Sequence, residues 1–298
     1  MKLKQISSIA LALAVTFSAG ASYAQATSNI AQREAAYTVQ LQEIRNATVK
    51  VTYGNTTFLV DPLLAKKGAY PGFEGTYRSH LRNPMIELPM AAQDVIKDVD
   101  AVIVTHTHLD HWDDAAQKTL PKGIPLFVQD DADAKVIRAQ GFTDVRVLGE
   151  NTEFKSVYMH KIGGQHGTDF MYSSPQRAEI LGKVMGVVFT APGQKTVYIA
   201  GDTIWRPEVD QTLTKFNPDV IVLNTGDARW TGLNDPIIMG KEDTSHAYKA
   251  APHAKIVAVH MDAINHTALS RVELRKYIAE KKLGDRVLVP ADGEFLNF

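Results

Sequence analysis

The chain contains no cysteine among its 298 residues. That excludes a disulfide framework, so stability has to come from a packed core. It also excludes every thiolate metal site, leaving histidine and carboxylate as the only strong donors for a cation. Charge is close to balanced, with a formal net of −1, which gives no pull toward nucleic acid or an anionic membrane. No G-x-S-x-G stretch occurs, so nothing points to a serine nucleophile of that type. Repeats, low-complexity tracts and interdomain linkers are also missing. With 45% hydrophobic and 22% charged residues the composition is that of an ordinary globular protein.

Long hydrophobic runs are missing too, except at the start. Lys2 and Lys4 precede an apolar run over 6–19, and small residues follow in ASYAQA at 21–26. This is the layout of a secretory signal peptide, and the run is short of the roughly 20 residues a membrane span needs. Cleavage is expected after Ala24 or Ala26, leaving no stable membrane anchor and a periplasmic or secreted protein. The expected organisation is a signal peptide over 1–24, an N-terminal arm of helical tendency over 25–46 and one domain over 47–298.

Within that domain, TVKVTYGNTTFLVDP (48–62) reads as a hairpin around Gly54-Asn55. A long Gly- and Pro-containing connection over 63–93 follows, of the kind that is often functional. Strands are expected at 100–105, 124–129, 157–164, 219–224, 255–260 and 286–290, the last closing the chain. A further hairpin over 184–202 turns at Pro192-Gly193. Helices are expected at 131–140, stopped by Gly141, at 242–251, and at 269–282, ended by Gly284. Hairpins at the start and in the middle argue against a purely parallel sheet. An α/β domain of two packed mixed sheets with outer helices fits better.

What the chain does have is histidine in a peculiar place. VIVTHTHLDHWDD (102–114) crowds His106, His108, Asp110 and His111 directly behind an apolar run. So polar a cluster at a buried strand end is costly unless a cation compensates it. Three more signals fall at strand ends: His166 past MHKIGGQ, Asp202 closing VYIAGD, and His260 closing IVAVH. Strand ends in α/β folds are where ligands collect. Asp110 and His111 are adjacent and cannot both reach the cation served by His106 and His108 without distortion. A second cation would relieve that, with Asp202 as the natural bridge.

THTHLDHW, with the later GQHG, AGDT and AVH, resembles the metallo-β-lactamase-fold hydrolases across about residues 47–290. The resemblance implies a four-layer αββα sandwich holding two divalent metals, zinc first and manganese or iron as alternatives. It implies His106, His108 and His166 on one metal, Asp110, His111 and His260 on the other, and Asp202 between them. It implies hydrolysis of a small-molecule ester, lactone or phosphodiester by a metal-bound hydroxide, with Asp110 able to shuttle a proton. The wording LVDP and DVDAVIVTHTHLDHWD looks most like the L-ascorbate-6-phosphate lactonase branch, which borders the N-acylphosphatidylethanolamine phospholipase D-like proteins. The missing cysteine departs from the zinc β-lactamases that place a thiolate in the second site, and so counts against β-lactam hydrolysis. Iron-dependent redox members carry an acid where His108 stands and usually a flavin partner domain, and neither is found here. A periplasmic metal- or ligand-binding protein without catalysis is the rival from another class.

Other residues have weaker readings. His160 competes with His166 but sits inside a strand. His266 follows His260 by six positions and could line the pocket or donate a proton. His246 and His253 read as surface residues. Arg78, His80 and Arg82 could face an anionic substrate group, although such loop clusters are usually only solvated. Trp112, Trp205 and Trp230 are either pocket walls or core. Asp61, before Pro62, is either a turn former or a carboxylate behind a metal-ligating histidine.

Overall fold

The computed structural model describes residues 39–298, so the expected signal peptide and the first part of the arm lie outside the described residues. Strands β1 (Val39–Arg45), β2 (Thr48–Tyr53), β3 (Thr56–Val60), β4 (Ala101–Val104), β5 (Leu126–Val128) and β6 (Val145–Val147) build the first sheet. The second holds β7 (Thr152–Phe154), β8 (Val157–Gly164), β9 (Val184–Thr190), β10 (Val197–Ile199), β11 (Val220–Asn224), β12 (Lys255–Val259) and β13 (Val287–Leu288). A last strand, β14 (Phe295–Asn297), returns to the first sheet beside β1, giving two seven-stranded sheets in the orders β14-β1-β2-β3-β4-β5-β6 and β13-β12-β11-β10-β9-β8-β7. Each sheet is half antiparallel and half parallel: β3 to β6 run parallel in one, β10 to β13 in the other.

The inner faces meet in one core. Val51, Phe58 and Ile103 of the first sheet pack with Met185, Phe189 and Val222 of the second. On the outer face of the first sheet lie α1 (Ala92–Ile96), α2 (Asp114–Thr119) and α3 (Asp131–Ala139), through Val95, Ala116 and Ile137. Two short helices, α4 (Asp169–Tyr172) and α5 (Pro175–Leu181), form a hairpin after β8. The outer face of the second sheet carries α6 (Pro207–Phe216), α7 (Lys241–Ala250) and α8 (Arg271–Lys281), through Leu213, Ala247 and Leu274. A strand covered on both faces must be apolar throughout. β4 is such a strand: Ala101 and Ile103 face the central core, Val102 and Val104 the outer one. The architecture is the expected αββα sandwich.

Three expectations need correction. Residues 39–45 are a strand of the first sheet rather than a helical arm, so the folded domain begins before residue 47. The polar side chains that suggested an arm are buried with partners. Arg45 donates to the carbonyls of Ile86, Leu63 and Ala65 at 2.8–3.0 Å, and Glu43 accepts from Arg271 at 3.1 Å. The helix over 269–282 is opened by a capping box of Ser270 and Glu273 and stops at left-handed Lys282 (φ 58°), two residues before Gly284. The chain closes on β14 instead of on 286–290, where only Val287–Leu288 is strand. Among the described residues no helix is long and apolar enough to cross a membrane.

Candidate metal centre

Seven strands converge on one rim and each supplies a polar residue there. β1 is followed by Asn46, β3 by Asp61, β8 by Gln165 and His166, and β12 by His260, while Thr105-His106 follows β4, Asp202 follows β10 and Asn224 ends β11. Asn46, Asp61 and His260 turn the chain off its strand in the left-handed region (φ 64°, 48° and 63°). Asn and Asp tolerate this; His260 is strained there, the kind of local cost found where function demands a geometry. Two glycines admit the close approach of backbones at this rim. A Cβ on Gly226 would collide with the His260 carbonyl, and one on Gly201 with the Met185 carbonyl.

All seven side chains singled out in the sequence lie together. Three overlapping sets each bring one donor atom per residue within 4.8 Å: His106 with His108 and His166, His106 with His111 and Asp202, and Asp110 with His111 and His260. His111 shows the logic of the site. Its Nδ1 donates to Asp61 Oδ2 at 2.9 Å, and its Nε2 stands 3.1 Å from Asp202 Oδ2 and 3.2 Å from His260 Nε2. Three electron-rich atoms packed so closely repel unless a proton or a cation lies among them. Two further buried atoms, His106 Nε2 and Asp110 Oδ2, accept or donate no hydrogen bond, though His260 Nε2 stands 3.4 Å from the latter. Unsatisfied atoms of this kind are rare in a core, and imidazole nitrogen with carboxylate oxygen is a donor set for a divalent cation. The residues fit such ions.

The electrostatics agree. Burial, and then repulsion from neighbouring imidazoles, holds His106 well below the usual histidine range and brings His108 to about 4. Burial also works against charge on His111 and His260, but the Asp202 and Asp110 carboxylates outweigh it, raising His111 well above its ordinary value and His260 to about 9. Burial opposes charge on Asp202 as well, yet His111 and His260 hold it well below the carboxylate range. The two carboxylates favour positive charge on the side of His111 and His260, while His106 and His108 are held neutral.

Several groups that set this geometry carry no sequence signal. Thr105 donates its N–H and its hydroxyl to Asp61, both at 2.7 Å, holding the carboxylate that accepts from His111 Nδ1. Asn224 donates to Asp202 Oδ1 at 2.6 Å. Asn46 donates to the Asp110 carbonyl at 3.0 Å and accepts the His260 N–H at 2.7 Å, tying two parts of the cluster together. His166 Nδ1 donates to the Leu181 carbonyl and His108 Nε2 to the Ile180 carbonyl, each at 2.9 Å. These bonds turn His108 Nδ1 and His166 Nε2, the latter 3.3 Å from Asp202 Oδ2, toward the cluster.

Above the cluster lies a cavity of about 240 Å³ walled by Phe73, Leu109, Ile180, Trp230 and Ile237, with His266 on one side. Its charged lining residues include the acids Glu74, Asp110 and Asp202; among the described residues no Lys or Arg lines it. Arg78 and Arg82 do not face an anionic substrate as one sequence reading allowed. Arg78 donates to the carbonyls of Asn265 and Thr267, and Arg82 to those of Gly68 and Ala69, while His80 is exposed. His160 bonds the Glu150 carbonyl and Thr190, away from the cluster. His246 and His253 are exposed, as expected. Of the tryptophans, Trp112 is core, Trp205 stacks on His246, and Trp230 walls the cavity.

Residues 56–261 match the family model described as Beta-lactamase superfamily domain, and the chain belongs to that superfamily, as a metal-dependent hydrolase. It is 45% identical over 260 residues to the UPF0173 protein YddR of Bacillus subtilis, covering 87% of this chain and 100% of that one. The crystal structure of a possible metal-dependent hydrolase from Veillonella parvula is similar at 50% identity and TM-score 0.85, covering 86% of this chain and 98% of that chain. That of an isothiocyanate hydrolase from Delia radicum gut bacteria is similar at 48% identity and TM-score 0.84, covering 87% and 99%.

Proposed function

We propose that the cluster holds two divalent metal ions and that the protein hydrolyses a small, neutral electrophile with an apolar tail, isothiocyanates being the leading class. The observation that carries the substrate reading is the cavity: a floor of candidate metal donors under apolar walls, with no Lys or Arg among the described residues to bind an anionic group. An isothiocyanate is neutral, linear and electrophilic at carbon, and the relative that acts on one is 48% identical. The likeness to the lactonase branch would favour phosphorylated substrates, which need cationic side chains that here are turned onto backbone carbonyls.

His106, His108 and His166 would hold one ion, Asp110, His111 and His260 the other, and Asp202 would lie between them, zinc being the first expectation. Bound there, such ions supply Lewis acidity and bring the pKa of water down toward about 7. The chain does the rest. Asp61, Asn224 and the carbonyls of Ile180 and Leu181 fix the donor atoms before substrate arrives. Phe73, Leu109 and Trp230 take the apolar tail and exclude bulk water. Hydrolysis of an isothiocyanate consumes one water: oxygen bonds to carbon, both protons reach nitrogen, the C–N bond breaks, and amine and carbonyl sulfide depart. Asp110, on the cavity floor, is placed to take a proton from the water and pass it to that nitrogen.

The test is a panel of isothiocyanates, lactones, carboxylic esters, phosphodiesters and β-lactams on protein of defined metal content, with Asp110→Ala as control. Isothiocyanate turnover that disappears with Asp110 and with metal is the expected result; phosphodiesters as the best substrates would overturn the substrate reading. We further propose, from the sequence pattern alone, that residues 1–24 act as a leader that takes the domain out of the cytoplasm. Intact mass of the protein recovered from cells should begin after Ala24 or Ala26.

A further inference from the structure

His266 is held more carefully than a wall residue requires. Arg78 donates to the carbonyls on either side of it, Asn265 and Thr267, and the His266 carbonyl accepts the Arg229 N–H at 3.0 Å. Asn265 is itself pinned by its side chain, which accepts from the Phe73 N–H and donates to Thr76 and the Tyr77 carbonyl. The ring packs against Phe73 at 5.2 Å between centroids, and the side chain is 11% exposed. Yet among the described residues neither ring nitrogen has a hydrogen-bond partner. Asp110 Oδ2 stands 3.9 Å from Nε2, beyond hydrogen-bond reach. Nor does His266 belong to any of the three donor sets. An imidazole whose backbone is fixed on both sides, and whose ring nitrogens are left unpaired, lines the cavity with Nε2 beside Asp110 and is open to a partner from that side.

We propose that His266 is a substrate-binding residue whose ring N–H donates to the heteroatom that leaves the attacked carbon, the nitrogen in the case of an isothiocyanate. The inference rests on the neutral-electrophile reading above. The contact is a hydrogen bond and transfers no proton. Its direction is set by Phe73 behind the ring and Arg78 beneath its backbone, so the substrate's heteroatom is drawn over Asp110 while its tail lies toward Trp230. Arg78 acts through His266 and is a positioning residue.

The experiment compares zinc-loaded wild type with His266→Phe, which keeps the packing on Phe73, and His266→Gln, which keeps an N–H donor. Zinc content and thermal midpoint are measured first, then binding of N-benzylthiourea by calorimetry, then kcat/KM for benzyl isothiocyanate. Unchanged zinc content, a Kd for the thiourea raised about tenfold in His266→Phe, and a fall in kcat/KM on the order of 100-fold that His266→Gln partly restores are the expected results. A folded, zinc-replete His266→Phe that binds the thiourea as wild type does overturns the proposal. So does a wild type that does not bind it, and so does loss of zinc in both variants, which would make His266 a metal-holding residue. If wild type turns over no isothiocyanate but thiourea binding still depends on His266, the substrate reading fails and the role of His266 stands.

Discussion

The carbonyl of Ile180 accepts the Nε2–H of His108 at 2.9 Å, and the same residue's side chain walls the cavity. The next carbonyl, Leu181, accepts from His166. Two imidazoles of one donor set are therefore aimed by the last residues of the α4–α5 hairpin, whose exposed rim carries Phe170 and Ile180. The piece of chain that lines the cavity also fixes which nitrogen of each ring is turned toward the cluster.

It follows that metal and hairpin are thermodynamically linked. Stripping the metal should loosen the hairpin, because the imidazoles then have no second anchor. Hydrogen exchange at the amides of Ala178 and Gly182, both bonded within the hairpin, should quicken in chelator-treated protein, while exchange in β9 changes far less. The thermal midpoint should fall as well, since a ligand that binds only the folded state at about 1,000 times its Kd contributes about 4 kcal/mol. Equal exchange in loaded and stripped protein would show that the hairpin is held independently of any metal.

Asp61 offers the sharpest single substitution. Its Oδ1 accepts the Thr105 N–H, and its Oδ2 accepts from the Thr105 hydroxyl and from His111 Nδ1. In Asp61→Asn the amide NH₂ must replace one of these oxygens and face a donor whichever way it is flipped. The less strained outcome turns the His111 tautomer, putting a proton on the nitrogen that faces Asp202. Metal affinity or activity should drop about 10- to 100-fold, with the fold retained by circular dichroism. Wild-type metal affinity in this variant would mean that His111 is oriented by something other than Asp61.

Asn46 separates conformation from contact. Its left-handed backbone (φ 64°) suits glycine or asparagine. Its side chain donates to the Asp110 carbonyl from a fully buried position. Asn46→Gly keeps the conformation and loses the hydrogen bond; Asn46→Ala loses both. Denaturant unfolding should show a loss of about 1–3 kcal/mol for the glycine variant and a further loss of about 1–2 kcal/mol for alanine. Equal stability of the two variants would mean that the turn imposes no strain.

The two halves of this protein's logic differ in how far they can be read without coordinates. His106, His108, Asp110, His111, His166, Asp202 and His260 stand out because metal chemistry accepts few side chains, and because each falls where an apolar run stops. Strands such as β4 and hairpins such as that at Gly54-Asn55 are equally visible, since buried strands must be apolar and tight turns need particular residues. The first strand was not, because Glu43 and Arg45 look solvated until Arg271 and three carbonyls are seen around them. Neither were the carbonyls of Ile180 and Leu181, which any residue would provide and only the path of the hairpin places.

Sequence alone determined which donors were available, that no thiolate could be among them, and that they lie on strand ends. Tertiary structure decided which nitrogen of His108 and of His166 is turned toward the cluster, that Arg78 and Arg82 bond backbone carbonyls rather than meet an anion, Arg78 holding the chain on either side of His266, and that the cavity walls are largely apolar. The reason is physical: residue type sets what an atom can bond, while its partner is fixed by distant segments that approach only when two sheets pack face to face.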